Sequence, residues 1–151
     1  MSLEKEVELL RRSPIFTKID LPMLKLLCFS SERLSYEKGQ VIFNTGDPGD
    51  AAYVLVEGHA EVTVPTPSGP LRVTVLGPND IFGEIAVFAD VPRTATVTAT
   101  SRVVALRIAK DQLMGVVRQN PDAALELIGI LAARLARTTA QLRGIAPSLP
   151  T

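Results

Sequence analysis

Between Ile81 and Val97 the chain reads I-F-G-E-I-A-V-F-A-D-V-P-R-T-A-T-V. The acid Glu84 directly follows a glycine, and nine residues later comes Arg93, set between Pro92 and Thr94. Phe82 to Phe88 reads as a glycine turn opening into one or two turns of helix, whose first N–H groups are unpaired and partially positive. An anion can sit there. Gly83 has no side chain to hold a ligand off the backbone. Arg93 offers a planar, permanently charged fork to two phosphate oxygens, Thr94 a hydroxyl, and Ala95 a further backbone N–H. Glu84 is the odd member. A carboxylate repels phosphate, so it belongs only if it accepts a hydrogen bond from a neutral hydroxyl of the same ligand, and a ribose 2′-hydroxyl meets that need.

Taken singly, these residues have plainer explanations. An acid in the first turn of a helix is favoured by the helix dipole alone, and a lone arginine is usually a solvated surface residue. Their joint spacing is what points to a nucleotide-type pocket. F-G-E followed by P-R-T-A-T-V resembles the phosphate-binding cassette of cyclic-nucleotide-binding domains, found in the catabolite activator protein, cyclic-nucleotide-dependent kinases and cyclic-nucleotide-gated channels. The resemblance implies that Gly83 and Ala95 lend backbone contacts, that Glu84 takes the ribose 2′-hydroxyl, and that Arg93 with Thr94 takes the cyclic phosphate. Phe82 and Ile85 complete the expected ligand-binding set around them. Gly46-Asp47-Pro48-Gly49-Asp50, with Ala51 to Gly58, resembles a turn and strand of the same family. One departure stands before the cassette: Asn79 occupies a position where the family commonly has glycine, and asparagine is the next best residue at positive φ.

The elements that must carry this site follow from periodicity. Leu3 to Arg12 has apolar residues at helical spacing, stopped by Ser13-Pro14, and a second helix is predicted from Leu21 to Phe29 with Asp20 as its N-cap. From there the signal changes to short β-rich runs punctuated by Gly, Pro, Asn and Asp: Glu32–Tyr36, Val41–Phe43, Ala52–Val56, Ala60–Val64, Leu71–Leu76, Ala95–Ala99 and Val103–Ile108. Pro65 to Pro70 reads as a hairpin tip. Asp111–Gln119 is predicted helical, and Asn120-Pro121 caps and opens a longer helix with a short heptad seam of Ala124, Ile128, Leu131, Leu135, Thr138 and Leu142. The expected fold is mainly β with flanking helices: a β-roll or jelly-roll barrel of about eight strands, N-terminal helices, a short phosphate-binding helix and a long C-terminal helix. Residues 1–30 would form the N-terminal helices, 31–109 the β-roll, 110–144 the C-terminal lid or dimer helices and 145–151 a tail, all within one domain.

Leu131 to Thr139 resembles the dimer helix of the catabolite activator protein, where two small hydroxyl residues meet the purine. Carried over, Thr138 and Thr139 become base contacts, one of them contributed by a second subunit; Thr138 as a tolerated polar residue of the seam is the alternative. Arg134 and Arg137 are candidates for capping the base by stacking.

Composition narrows the remaining classes. The 151 residues include 16 basic and 16 acidic side chains, so there is no general pull toward nucleic acid or an anionic membrane, and the chain alone is not expected to bind either. No apolar run is long enough to span a bilayer and no signal peptide is evident, so a cytoplasmic location is expected. One cysteine, Cys28, and one histidine, His59, cannot build a structural zinc site or an iron–sulfur cluster, and Cys28 sits in an apolar run as a buried, inert thiol. No nucleophile–base constellation is present, so neither catalytic nor metal-ligating residues are assigned. The expectation is a non-enzymatic regulatory sensor, without a cofactor, whose ligand is cAMP or cGMP, cAMP being favoured by the Thr138-Thr139 pair. A homodimer through the C-terminal helix is expected; the Met1-Ser2-Leu3 opening suggests an excised piece, and a sensor cut from a transcription factor, channel, transporter or enzyme and a free-standing protein both stay open. The competing reading is an interaction module of the same fold with an empty or altered pocket.

Overall fold

The computed structural model describes residues 3–145, with side chains to Leu142. In chain order it contains helix α1 (Leu3–Arg12), a 3-10 turn (Pro14–Phe16), α2 (Leu21–Ser30), and strands β1 (Glu32–Tyr36), β2 (Val41–Phe43), β3 (Ala51–Glu57), β4 (Ala60–Val64), β5 (Leu71–Leu76) and β6 (Ile81–Phe82). Helix α3 (Glu84–Ala89), β7 (Thr96–Ala99), β8 (Val103–Ala109), α4 (Lys110–Gln119) and α5 (Pro121–Ile145) follow. The tail expected from 145 onward lies outside the described residues beyond Ile145.

The strands form two antiparallel four-stranded sheets, β1-β8-β3-β6 and β2-β7-β4-β5. They are not closed into a barrel: among the described residues no ladder joins one sheet to the other. Strand lengths give the reason, because β6 has two residues and β2 three, too few to carry pairing round a corner.

Strand β3 is buried at six successive positions, which an alternating pattern does not signal. It lies between two cores. Ala52, Val54 and Val56 pack outward, with Val104, Leu106 and Ile108 of β8, beneath Val7, Leu10, Phe16, Leu24, Leu27, Leu113, Ala123 and Leu127 of the helical elements. Tyr53 and Leu55 point the other way, between the sheets, onto Phe43, Leu76, Phe82, Val97 and Ala105. Each fully buried side chain of this size contributes about 1.5–3 kcal/mol. Cys28 lies in the helical core, where burial pushes its thiol up to about 12, so it stays protonated and unreactive at neutral pH.

Several caps differ from expectation. Asp20 occupies the N-cap of α2, yet its side chain makes no capping hydrogen bond. Asn120 opens α5 with its carbonyl, which accepts from the N–H groups of Ala123 and Ala124, while its side-chain Nδ2 turns back to donate to the Val116 carbonyl of α4. One asparagine thus serves both helices at their junction. Asn79 has φ 75°, as its replacement of glycine implied, and its N–H donates to the Leu55 carbonyl.

The expected apolar seam of α5 is split: Ile128 and Leu135 face outward, and Leu131 turns to the core. Ile130 and Leu131 pack on the helical core. The outward row consists of Leu125, Ile128 and Leu135, each more than 60% exposed, while Leu142 turns to the cavity between α5 and the sheet. Ala132 and Thr139 fall in that row by spacing, which makes it a three-four repeat of the coiled-coil type. A helix packed on one side of a domain must commit some of its apolar positions there, and only the contacts decide which ones remain.

Candidate functional site

Gly83 has φ 78° and stands at the N-cap of α3, between β6 and the helix. A side chain there would be strained by the backbone and would place its Cβ 2.8 Å from Nη1 of Arg93. The turn therefore drops Glu84 into the interior, where it is 1% exposed. Arg93, 3% exposed, enters from the other end of the cassette.

The Gly46–Asp50 turn holds that arginine. The N–H of Arg93 donates to the Asp47 carbonyl and its carbonyl accepts from the N–H of Gly46, both at 2.8 Å. Its guanidinium donates through Nη1 to the Gly83 carbonyl at 2.7 Å and through Nη2 to the Ala51 carbonyl at 2.6 Å. Asp50 Oδ1 lies 3.7 Å from Nη2, and Arg107 joins the same Asp50 to Glu32. The guanidinium stacks over Phe43, 4.2 Å from the ring centroid. Burial lowers the Arg93 pKa, but an arginine starts so high that it stays charged. Its Nε is buried with no hydrogen-bond partner among the described residues. A buried N–H left over after the others are satisfied calls for an acceptor from outside the chain.

Glu84 is met from the opposite wall. Arg134 of α5 donates through Nη1 to Glu84 Oε1 and through Nη2 to the Ile81 carbonyl. Burial pushes the Glu84 carboxyl above its ordinary value; Arg134, and then the backbone N–H of Glu84, oppose that rise. Farther along α5, Gln141 Nε2 donates to the Val73 carbonyl of β5 at 2.9 Å. Helix α5 is thus pinned across the sheet at two places seven residues apart.

The enclosed space is a cavity of about 620 Å³, within the size range of small-molecule sites. Phe82, Gly83, Glu84, Ile85, Arg93, Thr94, Ala95 and Thr138 all line it. Thr139 does not: its hydroxyl donates to the Leu135 carbonyl, and by spacing it belongs to the outward row. The walls absent from the sequence expectation come from β4, β5 and α5: Val62, Val64, Leu71, Val73, Val75, Ile130, Ala133 and Gln141; Arg134 and Arg137, expected as base caps, line it as well. Arg134 stands four residues before Thr138, on the same face of one helix. Its partner here is Glu84. Among the described residues no group of three or more His, Cys, Asp or Glu is placed to hold a metal ion, and no helix is long and apolar enough to cross a membrane.

A buried cation and a buried acid share one cavity, over residues whose order matches a known pattern, and comparison with known proteins agrees. The family model described as the cyclic nucleotide-binding domain matches residues 33–120. This chain belongs to the cyclic nucleotide-binding domain family. It is 30% identical over 136 residues to the CRP-like cAMP-activated global transcriptional regulator of Mycobacterium tuberculosis, covering 89% of this chain and 61% of that protein. The chain therefore spans about three-fifths of the length of that curated relative. Among solved structures, the catabolite activator protein of Thermus thermophilus superposes with a TM-score of 0.77 at 26% identity, over 89% of this chain and 63% of that one. The regulatory domain of Toxoplasma gondii PKA, crystallised with cAMP, superposes with a TM-score of 0.72 at 26% identity, over 76% of this chain and 44% of that one. The family is one of regulatory binding domains, and the two-sheet fold with its long terminal helix matches these neighbours.

Proposed function

We propose that this chain is a sensor domain that binds a 3′,5′-cyclic purine nucleotide, cAMP in preference to cGMP, and transmits occupancy through α5. The observation that carries the reading is the pairing of buried Arg93, with its unpartnered Nε, and buried Glu84 in the same cavity. The cyclic phosphate takes the guanidinium and the N-terminal N–H groups of α3, with Thr94 and the Ala95 N–H beside it. The ribose 2′-hydroxyl donates to Glu84, in competition with Arg134. The base extends between β5 and α5, against an apolar wall.

Transmission follows from the same contacts. Arg134 and Gln141 tie α5 to the pocket through groups that a nucleotide would contact or displace. A ligand shifts an equilibrium only by its differential affinity for the two states, and in this reading that difference is made at the contacts of α5.

The outward row of Leu125, Ile128 and Leu135 favours a homodimer through α5, in which Thr139, on the same row by spacing, would meet the second subunit's base. The output is then carried by whatever effector is joined to that helix pair.

Calorimetric titration of nucleotide-stripped protein with cAMP, cGMP and non-cyclic AMP tests the reading. Saturable binding of a cyclic nucleotide, far tighter than AMP, is expected; no binding of either cyclic nucleotide would leave the fold serving as a dimerisation module.

A further inference from the structure

We propose that Gln141 is a specificity-determining residue, reading the exocyclic amino group of adenine together with Thr138; this rests on the cyclic-nucleotide reading of the pocket. With the ribose and phosphate at Glu84 and Arg93, the base must occupy the end of the cavity walled by β5 and the outer half of α5. Thr138 and Gln141 both line that cavity and, three residues apart on one helix, share a face.

Both side chains have a donor already committed. The single hydroxyl proton of Thr138 goes to the Arg134 carbonyl at 3.0 Å, which leaves the oxygen's lone pairs. The amide of Gln141 faces the Val73 carbonyl at 2.9 Å. A carbonyl only accepts, so the atom turned to it must be nitrogen, and the orientation of the amide follows from chemistry. Its Oε1 makes no hydrogen bond among the described residues. The helix therefore offers the base two acceptors one turn apart. The adenine N6 amino group carries two protons and can satisfy both. A purine with a carbonyl at position 6, such as guanine or hypoxanthine, sets a third acceptor against those two, and its one N1 proton, a ring atom away, cannot satisfy both.

Arg137 also lines the cavity and is a donor that suits a 6-carbonyl. It is exposed and has no hydrogen bond or ion pair among the described residues, so it must be ordered at the time of binding, whereas Gln141 is anchored beforehand by β5.

The discriminating ligand is inosine 3′,5′-cyclic monophosphate, which differs from cAMP in carrying a carbonyl in place of the amino group, with a proton on N1. Wild-type protein and Gln141→Ala are titrated calorimetrically with both nucleotides, and thermal melting checks that the exposed substitution leaves the fold intact. Wild type is expected to prefer cAMP by about tenfold or more, and Gln141→Ala to reduce that preference about fivefold, the worth of one net hydrogen bond. A residue that merely clasps α5 to β5 would weaken both ligands equally. An unchanged ratio therefore overturns the proposal, as does a wild type that binds both nucleotides alike. If wild type binds neither, the reading of the pocket fails first and takes this inference with it.

Discussion

Replacing Arg134 by alanine removes the group that stands opposite the buried Glu84 carboxylate. The substitution deletes one charge-assisted hydrogen bond to Glu84 and one hydrogen bond to the Ile81 carbonyl. Breaking a fully buried pair costs about 3–5 kcal/mol, because a charge is left uncompensated. Here Arg134 is 28% exposed, the cavity admits water, and the acid can take up a proton, so the loss should lie near the value for one hydrogen bond to a charged group, about 2 kcal/mol. For a domain of this size that lowers Tm by about 4–8 °C. The effect carries a pH signature. Burial already raises the folded-state pKa of Glu84, and Arg134 is the largest influence opposing it, so the variant's carboxyl moves higher still. A group whose folded pKa exceeds its unfolded one binds its proton more tightly when folded. Its penalty is full above the folded pKa and vanishes as pH falls below the unfolded value, about 4.3 for a glutamate. The Tm deficit of Arg134→Ala should thus be largest at pH 7 and narrow toward pH 4.5. Melts of ligand-free wild type and variant, followed by circular dichroism across that range, measure it directly. A deficit of the same size at every pH, or none at pH 7, would refute the assignment of Arg134 as the counter-charge of Glu84.

Three further outcomes are expected. Arg93→Ala should weaken cyclic-nucleotide binding by about 10- to 150-fold, as for loss of about 1.5–3 kcal/mol from a charged hydrogen bond, and calorimetry showing unchanged affinity would mean the phosphate sits elsewhere. Gly49→Ala sets a methyl group into the Ala86 side chain and 2.9 Å from the Val91 carbonyl oxygen, so α3 must shift; a stability loss of about 1–3 kcal/mol in urea denaturation is expected, and a neutral result would contradict the packing of the turn on the cassette. Leu135→Glu places a charge in the outward row of α5. Light scattering after gel filtration should then give a monomer from a dimeric wild type, whereas an unaltered dimer would move the interface to another face.

Much of the fold was readable because its signals are local. Glu32–Tyr36, Val41–Phe43, Ala60–Val64 and Leu71–Leu76 coincide with the predicted runs, since each is bounded by turn residues that no strand interior tolerates. Strand β6 was not anticipated: two residues carry no periodicity, and Ile81–Phe82 is a strand only because Tyr53 and Val54 lie alongside. The β-roll and its flanking helices are as expected; that its two sheets do not close into a barrel is not legible in the sequence, as alternation marks a strand's faces but says nothing of whether its sheet's edges meet. The expected seam of α5 holds for Ile128 and Leu135 but not for Leu131, because both the row on the core and the row facing out are apolar and periodicity alone does not choose between them.

By itself, the sequence determined the family and the cassette, because Gly83, Glu84, Arg93, Thr94 and Ala95 stand within thirteen positions and their spacing encodes one local geometry. It also determined what is lacking for metal or nucleophilic chemistry, which is a matter of inventory. Only the tertiary structure decided that Asp47, Gly46 and Ala51 hold Arg93 in place, that Arg134 occupies Glu84, and that Gln141 is anchored to Val73. Those partners lie some 40 to 70 residues apart along the chain. No spacing rule reaches across such a separation, because which groups meet is settled by how the helices pack against the two sheets.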